Sequence, residues 1–202
     1  MFLLRRPDAR RIAQLIDKSQ QAPFSYPSVG MTWEGGAPPG FQLDHNRVLL
    51  GHGEATYLAA VAALMNWEHY RFDWVELFRP PTPPAESQVI ATLIYGLGLW
   101  ALNPCRIVYL REESSPITRT AFAYGTLPAH VEGGEERFQV EWRPEDDTVW
   151  YDLLAFSRPQ HWFARLGTPY VRYKQRQFAR DSLSLMSAAV QRRLADLFAP
   201  NL

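Results

Sequence analysis

Four ionisable side chains that could transfer protons or bind a ligand lie close together in the segment 124–142, which reads YGTLPAHVEGGEERFQVEW. They are His130, Glu132, Glu135 and Glu136. The Gly133-Gly134 pair stands between apolar and aromatic runs, and this pattern predicts a β-hairpin that turns at the glycines. A histidine and a carboxylate that meet in a pocket can exchange a proton or bind a ligand's polar group.

Strand alternation divides these side chains between the two faces of the predicted hairpin. Phe138, Val140 and Trp142 share one face, which we expect to be buried, and Glu136 belongs to the same row. The other face is predicted to point toward water and carries Glu135, Arg137, Gln139 and Glu141. A carboxylate at the inner end of an apolar row must be paired, hydrogen-bonded or protonated.

The role of Glu136 stays open between a functional and a structural interpretation. A contact between Glu136 and His130 across the turn would bind a ligand's polar group or shuttle a proton. Tyr124, on the strand before the turn, would add a hydroxyl to this pair. Alternatively, His130 and Glu136 only support the hydrogen bonds of the hairpin, or Glu136 lies at its exposed mouth.

His52 is a second candidate ligand contact. It lies between Gly51 and Gly53 where a helix is predicted to begin, a setting in which backbone amides can hold an anion. A Gly-X-Gly sequence at such a turn is common, so the pattern has low specificity. The other histidines have no supporting pattern and are expected to be structural: His45, His69 and His161.

No metal, cofactor or covalent intermediate is expected from the motifs. His130 and Glu132 could offer two metal ligands on one strand face, but no HxxxH, HExxH or cysteine pair accompanies them. The sequence contains neither a GxSxG nucleophile motif nor a glycine-rich phosphate loop. Cys105 is the only cysteine, which excludes an internal disulfide, favours a cytoplasmic location and is typical of a small core residue.

Composition and charge predict one domain over residues 1–202, with an elaborated N-terminal region at 1–40. The 21 basic and 21 acidic residues balance, so net charge does not favour nucleic acid as a partner. The segment Ser87–Cys105 is a long uncharged run, but polar residues, glycines and a proline interrupt it. We interpret it as buried strands with a bend and expect no membrane span. The apolar start of the chain is too short for a secretory signal.

The pattern of elements predicts an α+β fold. Helices are expected from Pro7-Asp8 to about Ser19, after Gly51-His52-Gly53, and from Thr168-Pro169 to near the end of the chain. A strand is expected at 41–50, and a series of about five antiparallel strands runs from Val89 to Arg158-Pro159. The fold class that follows is a curved antiparallel sheet that grips a long C-terminal helix.

Nearly the whole chain also resembles a known family, with Gly51-His52-Gly53 and Trp67 fitting its first half and more specific motifs in the second half. The matching motifs are NPCRIVY (103–109), FAYGTLPAHVEGGEERF (122–138), AFSRP (155–159) and RLGTPYVRYKQRQFAR (165–180). They are similar to the successive motifs of uncharacterised protein family 0548, a bacterial and plant family of unknown function. The resemblance implies the helix-grip architecture of START-like and birch-pollen-allergen-like proteins, with an apolar cavity between sheet and helix. It implies no activity.

These observations lead to one main hypothesis and two alternatives. The main hypothesis is a protein that binds a small, largely apolar molecule between the sheet and the C-terminal helix. Its walls and polar anchors would be Trp142, Phe138, Trp150, Glu136, His130 and Tyr124. The first alternative is an enzyme that performs acid–base chemistry on a hydrophobic substrate through His130 and Glu136. The second is an interaction module that uses a basic helix stripe, Arg172, Arg176 and Arg180. The sequence leaves the oligomeric state undetermined.

Overall fold

The computed structural model describes residues 1–160 and 168–198, and in this part of the chain three α-helices accompany an eight-stranded sheet. The helices are α1 (Ala9–Ser19), α2 (Gly53–Met65) and α3 (Thr168–Phe198). The strands are β1 (Phe2–Leu3), β2 (Gln42–His52), β3 (Val75–Phe78), β4 (Val89–Gly96), β5 (Leu99–Glu113), β6 (Thr118–Thr126), β7 (Glu132–Arg143) and β8 (Thr148–Pro159). Two short 3-10 helices, Met31–Glu34 and Glu68–Tyr70, complete the elements.

The sheet is antiparallel and follows the order β2-β8-β7-β6-β5-β4-β3, while β1 pairs with the first residues of β5. Consecutive strands from β3 to β8 are neighbours, as expected for short connections. β2 returns to the far edge and pairs with β8. The curved sheet and the long C-terminal helix confirm the predicted α+β class.

The concave face of the sheet is covered by α2, α3 and the short helix Glu68–Tyr70. Alternate residues of β6, β7 and β8 point to this side, and Phe122, Phe138 and Tyr151 are fully buried there. α2 contacts both α3 and β7, and its alanine-rich sequence permits this close double contact. α3 contributes Ala179, Met186, Ala189 and Val190 to the same core.

The convex face is covered in two places by the first 34 residues. α1 places Ile12 against Leu3, Leu93 and Leu102. The short helix Met31–Glu34 places Trp33 against Tyr109 of β5. The sheet is therefore enclosed on both sides near its centre, and strand alternation alone does not separate buried residues from exposed ones.

Most predicted elements are confirmed, and one turn is wrong. α1 begins after Asp8, whose carboxylate accepts a hydrogen bond from the backbone amide of Arg11 at 2.8 Å. Ser87–Cys105 contains the β4–β5 hairpin. The hairpin between β6 and β7, however, turns at 127–131.

Among the helices in the described part of the chain, none combines the length and the apolar character that a membrane span requires.

Gly133-Gly134 lies inside β7, where it was predicted to form the turn. Gly134 pairs with Ser157 of β8, and a Cβ on Gly134 would overlap the carbonyl oxygen of Phe156. Glycine is therefore required by the close approach of two backbones. The actual loop closes with a hydrogen bond from the amide of His130 to the carbonyl oxygen of Leu127 at 2.9 Å.

Candidate functional site

A row of side chains crosses the concave face at Glu136. Tyr124 of β6 is directly opposite Glu136 of β7, which is opposite Ala155 of β8, and Ala155 is opposite Asp44 of β2. Directly paired residues share a face, so these four side chains point toward the same space. The Tyr124 hydroxyl donates a hydrogen bond to Glu136 Oε2. The Tyr70 hydroxyl lies 3.3 Å from that of Tyr124 and extends the chain of polar groups.

Burial in this apolar setting raises the pKa of Glu136 to about 7. The hydrogen bond from Tyr124 lowers this pKa in part, and the nearby carboxylate of Asp44 raises it. Burial and the charge of Glu136 also raise the pKa values of Tyr124, Tyr70 and Cys105. Glu136 thus changes its charge near neutral pH, while its tyrosine and cysteine neighbours stay protonated.

Solvent still reaches this row, although it lies in the middle of the sheet. Glu136 and Ala155 are each flanked by strands on both sides, yet both are only partly buried. Phe138, one step further along β7, is fully buried and contacts Tyr124 and Tyr70 with ring-centroid separations of 5.3 Å and 6.3 Å. Phe178 of α3 completes an aromatic wall beside Tyr70. The polar row therefore borders buried aromatic side chains and remains partly exposed to solvent.

Polar contacts attach the N-terminal half of α3 to the sheet beside this row. Arg172 donates to both carboxylate oxygens of Asp44, with an Nη1–Oδ2 distance of 2.6 Å. Gln175 accepts a hydrogen bond from Arg172 and donates to Glu132 and to Ser157. Burial raises the pKa of Glu132, and the hydrogen bonds from Ser157 and Gln175 oppose this shift. The first turns of α3 thus contact the sheet through polar groups, while Phe178 further along the helix packs on the ring of Tyr70.

His130 does not join Glu136. Its Nδ1 accepts a hydrogen bond from the backbone amide of Glu132 at 2.9 Å, and burial together with the nearby amino terminus lowers its pKa to about 3. Among the described residues, no hydrogen bond or ion pair connects His130 to Glu136. The Glu132 side chain turns to α3, so His130 and Glu132 do not form the two-ligand metal arrangement either.

The remaining predicted site residues lie apart from the row. His52 is exposed at the end of β2, and its side chain makes no capping bond to α2. It is eight residues from Asp44 along the strand, roughly 26 Å. Trp142 shares the face of Phe138 but lies beside Tyr57, near the opposite end of β7, and donates to Asp147.

Trp150 and the basic stripe are oriented differently from the prediction. Trp150 is opposite Glu141 on the convex face, under the guanidinium of Arg47 at 4.1 Å, so it does not line the space beside Phe138. Arg172 points to the sheet, whereas Arg176 and Arg180 are exposed. The three arginines therefore do not form one continuous surface.

The expected structural histidines are placed as follows. His45 lies 2.6 Å from Asp152 on the convex side. His69 is fully buried between Trp67 and Phe138. His161 lies outside the described residues.

The second face of β7 was predicted to contact water, and this prediction is wrong. Glu135, Arg137, Gln139 and Glu141 are all buried, with exposed fractions of 2%, 6%, 2% and 7%. Segment 26–32 covers the first two. Glu135 accepts hydrogen bonds from the Tyr26 hydroxyl at 2.6 Å, from the amides of Gly30 and Thr32, and from the Thr32 hydroxyl.

Arg137 completes this convex-side network, which sequence reasoning missed. Its guanidinium donates to the carbonyl oxygen of Thr32 at 2.8 Å and to Asp152 at 2.7 Å. This network of paired buried charges attaches the N-terminal segment to the sheet, although Arg137 Nε has no hydrogen-bond partner among the described residues. The available sequence signal was a Pro- and Gly-rich segment without a predicted packing partner, followed 100 residues later by alternating charges.

Comparison with known proteins agrees with the fold and the motifs. The family described as "Domain of unknown function (DUF1990)" matches residues 25–185. A UPF0548 protein of Dictyostelium discoideum is 34% identical over 207 residues, covering 94% of this chain and 96% of the relative. A UPF0548 protein of Deinococcus radiodurans is 35% identical over 191 residues, covering 89% and 94%.

A solved structure supports the architecture independently of sequence. The ZhuI aromatase/cyclase from Streptomyces sp. R1128 is 10% identical, with a TM-score of 0.57 over 79% of this chain and 99% of that chain. At this identity the likeness concerns the fold alone, and it confirms the START-like helix-grip architecture. The family resemblance seen in the motifs is confirmed by the family match and the relatives. This chain belongs to the UPF0548 family, and its residues 25–185 match the DUF1990 family model.

Proposed function

We propose that this protein binds a small, largely apolar molecule on the concave face, between the sheet and the N-terminal half of α3. Glu136 and Tyr124 form the polar anchor. The observation that carries the proposal is the environment of Glu136. In the described part of the chain, this carboxylate receives one hydrogen bond, from a tyrosine, and it keeps access to solvent beside an aromatic wall.

The adjacent residue on the same strand provides an internal comparison. Glu135 is a structural carboxylate, because it is enclosed and accepts four hydrogen bonds from three residues. Glu136 has one donor, and no cation forms a salt bridge with it among the described residues. A carboxylate that only supported the hairpin would be more stable with several hydrogen-bond donors around it, as Glu135 has. Glu136 therefore has unused hydrogen-bonding capacity that a ligand can satisfy.

The surroundings define the chemistry of the ligand. Phe138 and Tyr70 are buried and Phe178 is partly buried, so a ligand that displaces the first turns of α3 would meet aromatic rings, which favour an apolar body. Since the pKa of Glu136 is about 7, this carboxyl group can either accept a hydrogen bond or donate one near neutral pH. A hydroxyl group on the ligand can pair with either form of Glu136, and a carbonyl group can accept a hydrogen bond from the protonated form. Neither group adds the cost of burying a second charge.

The experiment uses the fluorescent apolar probe N-phenyl-1-naphthylamine with the purified chain, together with native mass spectrometry to detect a co-purified molecule. Ala155→Phe adds a ring to the partly open row, and we expect it to abolish probe binding. Glu145→Gln, in the exposed β7–β8 turn, is the control and should bind like the wild type. Equal probe binding by Ala155→Phe and the wild type, with both folded by circular dichroism, would contradict the proposed location.

A second candidate function is acid–base catalysis on an apolar substrate. The version that uses His130 with Glu136 lacks support, because these side chains do not meet. The polar chain Tyr70–Tyr124–Glu136 favours another version, in which Glu136 alone exchanges the proton. Glu136→Gln would then keep ligand binding and lose turnover, whereas a pure binding protein shows no chemical change in a bound ligand with either residue.

A further inference from the structure

An exposed apolar surface lies at one end of the sheet, away from the row at Glu136. We name it the apolar tip and define it by Phe2, Leu4, Tyr95 and Leu97. Their exposed fractions are 42%, 84%, 55% and 73%. Strand register places them around the same end of the sheet but on both of its faces. Tyr95 is opposite Trp100 on one face, Phe2 is opposite Ala101 on the other, and Leu97 occupies the β4–β5 turn next to these pairs. The hydration of four large apolar side chains at one end of the molecule is unfavourable, and such a surface often marks an interaction site.

The fold itself does not require a leucine at position 97. Leu97 and Gly98 form a two-residue hairpin loop, and their φ angles are +52° and +77°. Such loops favour asparagine or glycine, because a positive φ brings a branched or bulky side chain close to the backbone. An apolar residue at this position is therefore unfavourable both for backbone conformation and for solvation. A partner surface that accepts the side chain compensates for both costs.

The charges around the apolar tip are basic. Leu3 and Leu4 line a small cleft together with Arg5, Arg6 and Arg11. Asp8 lines the same cleft, but its carboxylate caps α1, and Arg6 pairs with Glu76. Three arginines against the two carboxylates Asp8 and Glu76 leave one positive charge in excess beside the apolar tip, in a chain whose overall net charge is zero. Arginines and exposed leucines thus lie side by side at this end of the molecule.

We propose that the apolar tip docks on the surface of a lipid bilayer that carries anionic headgroups. Leucine and phenylalanine side chains enter the outer acyl region, and Tyr95 and Trp100, whose rings lie 4.9 Å apart, suit the headgroup level. Arg5 and Arg11 attract the anionic headgroups. This proposal is independent of the proposed ligand site, and the first turn of α3 adjoins the hairpin, where Tyr170 lies against Gly96.

Vesicle sedimentation of the full chain tests this proposal. The probes are vesicles of pure phosphatidylcholine and vesicles with roughly one third phosphatidylserine, because each nearby arginine contributes attraction only to the anionic mixture. We expect binding to the anionic vesicles that weakens with salt. The double variant Leu4→Ser/Leu97→Asn should reduce the partition coefficient at least about tenfold, as expected for removing two inserted leucines.

The variants are chosen so that misfolding cannot explain the result. Asparagine at position 97 suits the positive φ, so Leu97→Asn should keep or raise thermal stability while it weakens vesicle binding. Leu58→Gln removes an exposed leucine from α2 and should leave vesicle binding unchanged. Leu97→Trp, in contrast to Leu97→Asn, should keep vesicle binding.

Three results would overturn the proposal. The first is an absence of binding to anionic vesicles, and the second is equal binding by the wild type and the double variant. The third is a concentration-dependent dimer that Leu97→Asn dissociates, which would identify a second copy of the chain as the partner of this surface.

Discussion

Glu136→Gln should stabilise the folded protein above neutral pH and have little effect in mild acid. The wild-type carboxyl group has an ordinary pKa of 4.5 and a folded-state pKa of about 7. Below about pH 4.5 the group is protonated in both states, and its ionisation does not affect unfolding. Between about pH 4.5 and 7 only the unfolded state releases the proton, so the free energy of unfolding falls as the pH rises.

The magnitude follows from the same two pKa values. The difference between the folded-state and ordinary pKa values of Glu136 corresponds to a loss of about 3 kcal/mol in the free energy of unfolding. The full loss is reached once both states are ionised, above about pH 8. Partial solvent access screens some of this penalty, so we expect Glu136→Gln to gain about 1–3 kcal/mol at pH 8. Glutamine keeps the size of the side chain, and its carbonyl oxygen can still accept the hydrogen bond from Tyr124.

Urea unfolding followed by tryptophan fluorescence at pH 5 and pH 8 measures this effect. The informative quantity is the stability difference between variant and wild type at each pH, since other titrating groups cancel in it. Glu145→Gln, which removes an exposed carboxylate, should show the same difference at both pH values within about 0.5 kcal/mol. A Glu136→Gln variant that is less stable than the wild type at pH 8 would show that the folded state favours the ionised carboxylate, and the reasoning would fail.

Three further predictions concern residues outside the ligand row, all measured as free energies of unfolding at pH 7. Glu135→Gln should cost about 2–4 kcal/mol because an amide meets donors on every side, and a near-neutral result would show that the convex network is dispensable. His69→Leu should gain about 1–2 kcal/mol, since both buried ring nitrogens lack partners among the described residues, and a loss would reveal a hidden partner. Gly134→Ala should cost about 1–3 kcal/mol through its overlap with Phe156, whereas Gly36→Ala, which meets only the flexible Met31 side chain, should cost little.

Strand alternation predicted which side chains of β7 share a face, but not what covers each face. Glu136 and Phe138 do share the concave face, as expected from their spacing. Glu135 was predicted to contact water, and it is buried because Tyr26 and Thr32 lie over it. These partners are about 100 residues away in the sequence, and no local pattern connects them to β7. Local periodicity in the sequence therefore predicts which residues of β7 share a face. Contacts with distant segments of the chain decide whether that face is buried.

The predicted contact between His130 and Glu136 depended on a turn at Gly133-Gly134, and this position of the turn was wrong. Two consecutive glycines are a strong hairpin signal, yet here Gly134 permits a close approach between β7 and β8. Moving the turn to 127–131 places His130 in the loop, away from Glu136. Trp150 was assigned to the wrong face because its neighbours Val149 and Tyr151 are also apolar, so hydrophobicity did not indicate the parity of β8.

The first two turns of α3 are attached to the sheet by a different kind of contact from the rest of the helix, and this difference connects the two proposals. From Phe178 onward the helix packs in the core, where Met186 and Val190 are fully buried. The first two turns, residues 168–175, are held through Arg172 and Gln175, by polar contacts that water can replace at low cost. A ligand that enters under α3 is therefore expected to displace these two turns more easily than the rest of the helix. They begin beside the β4–β5 hairpin, so the segment that we expect to move for ligand entry lies next to the proposed membrane contact.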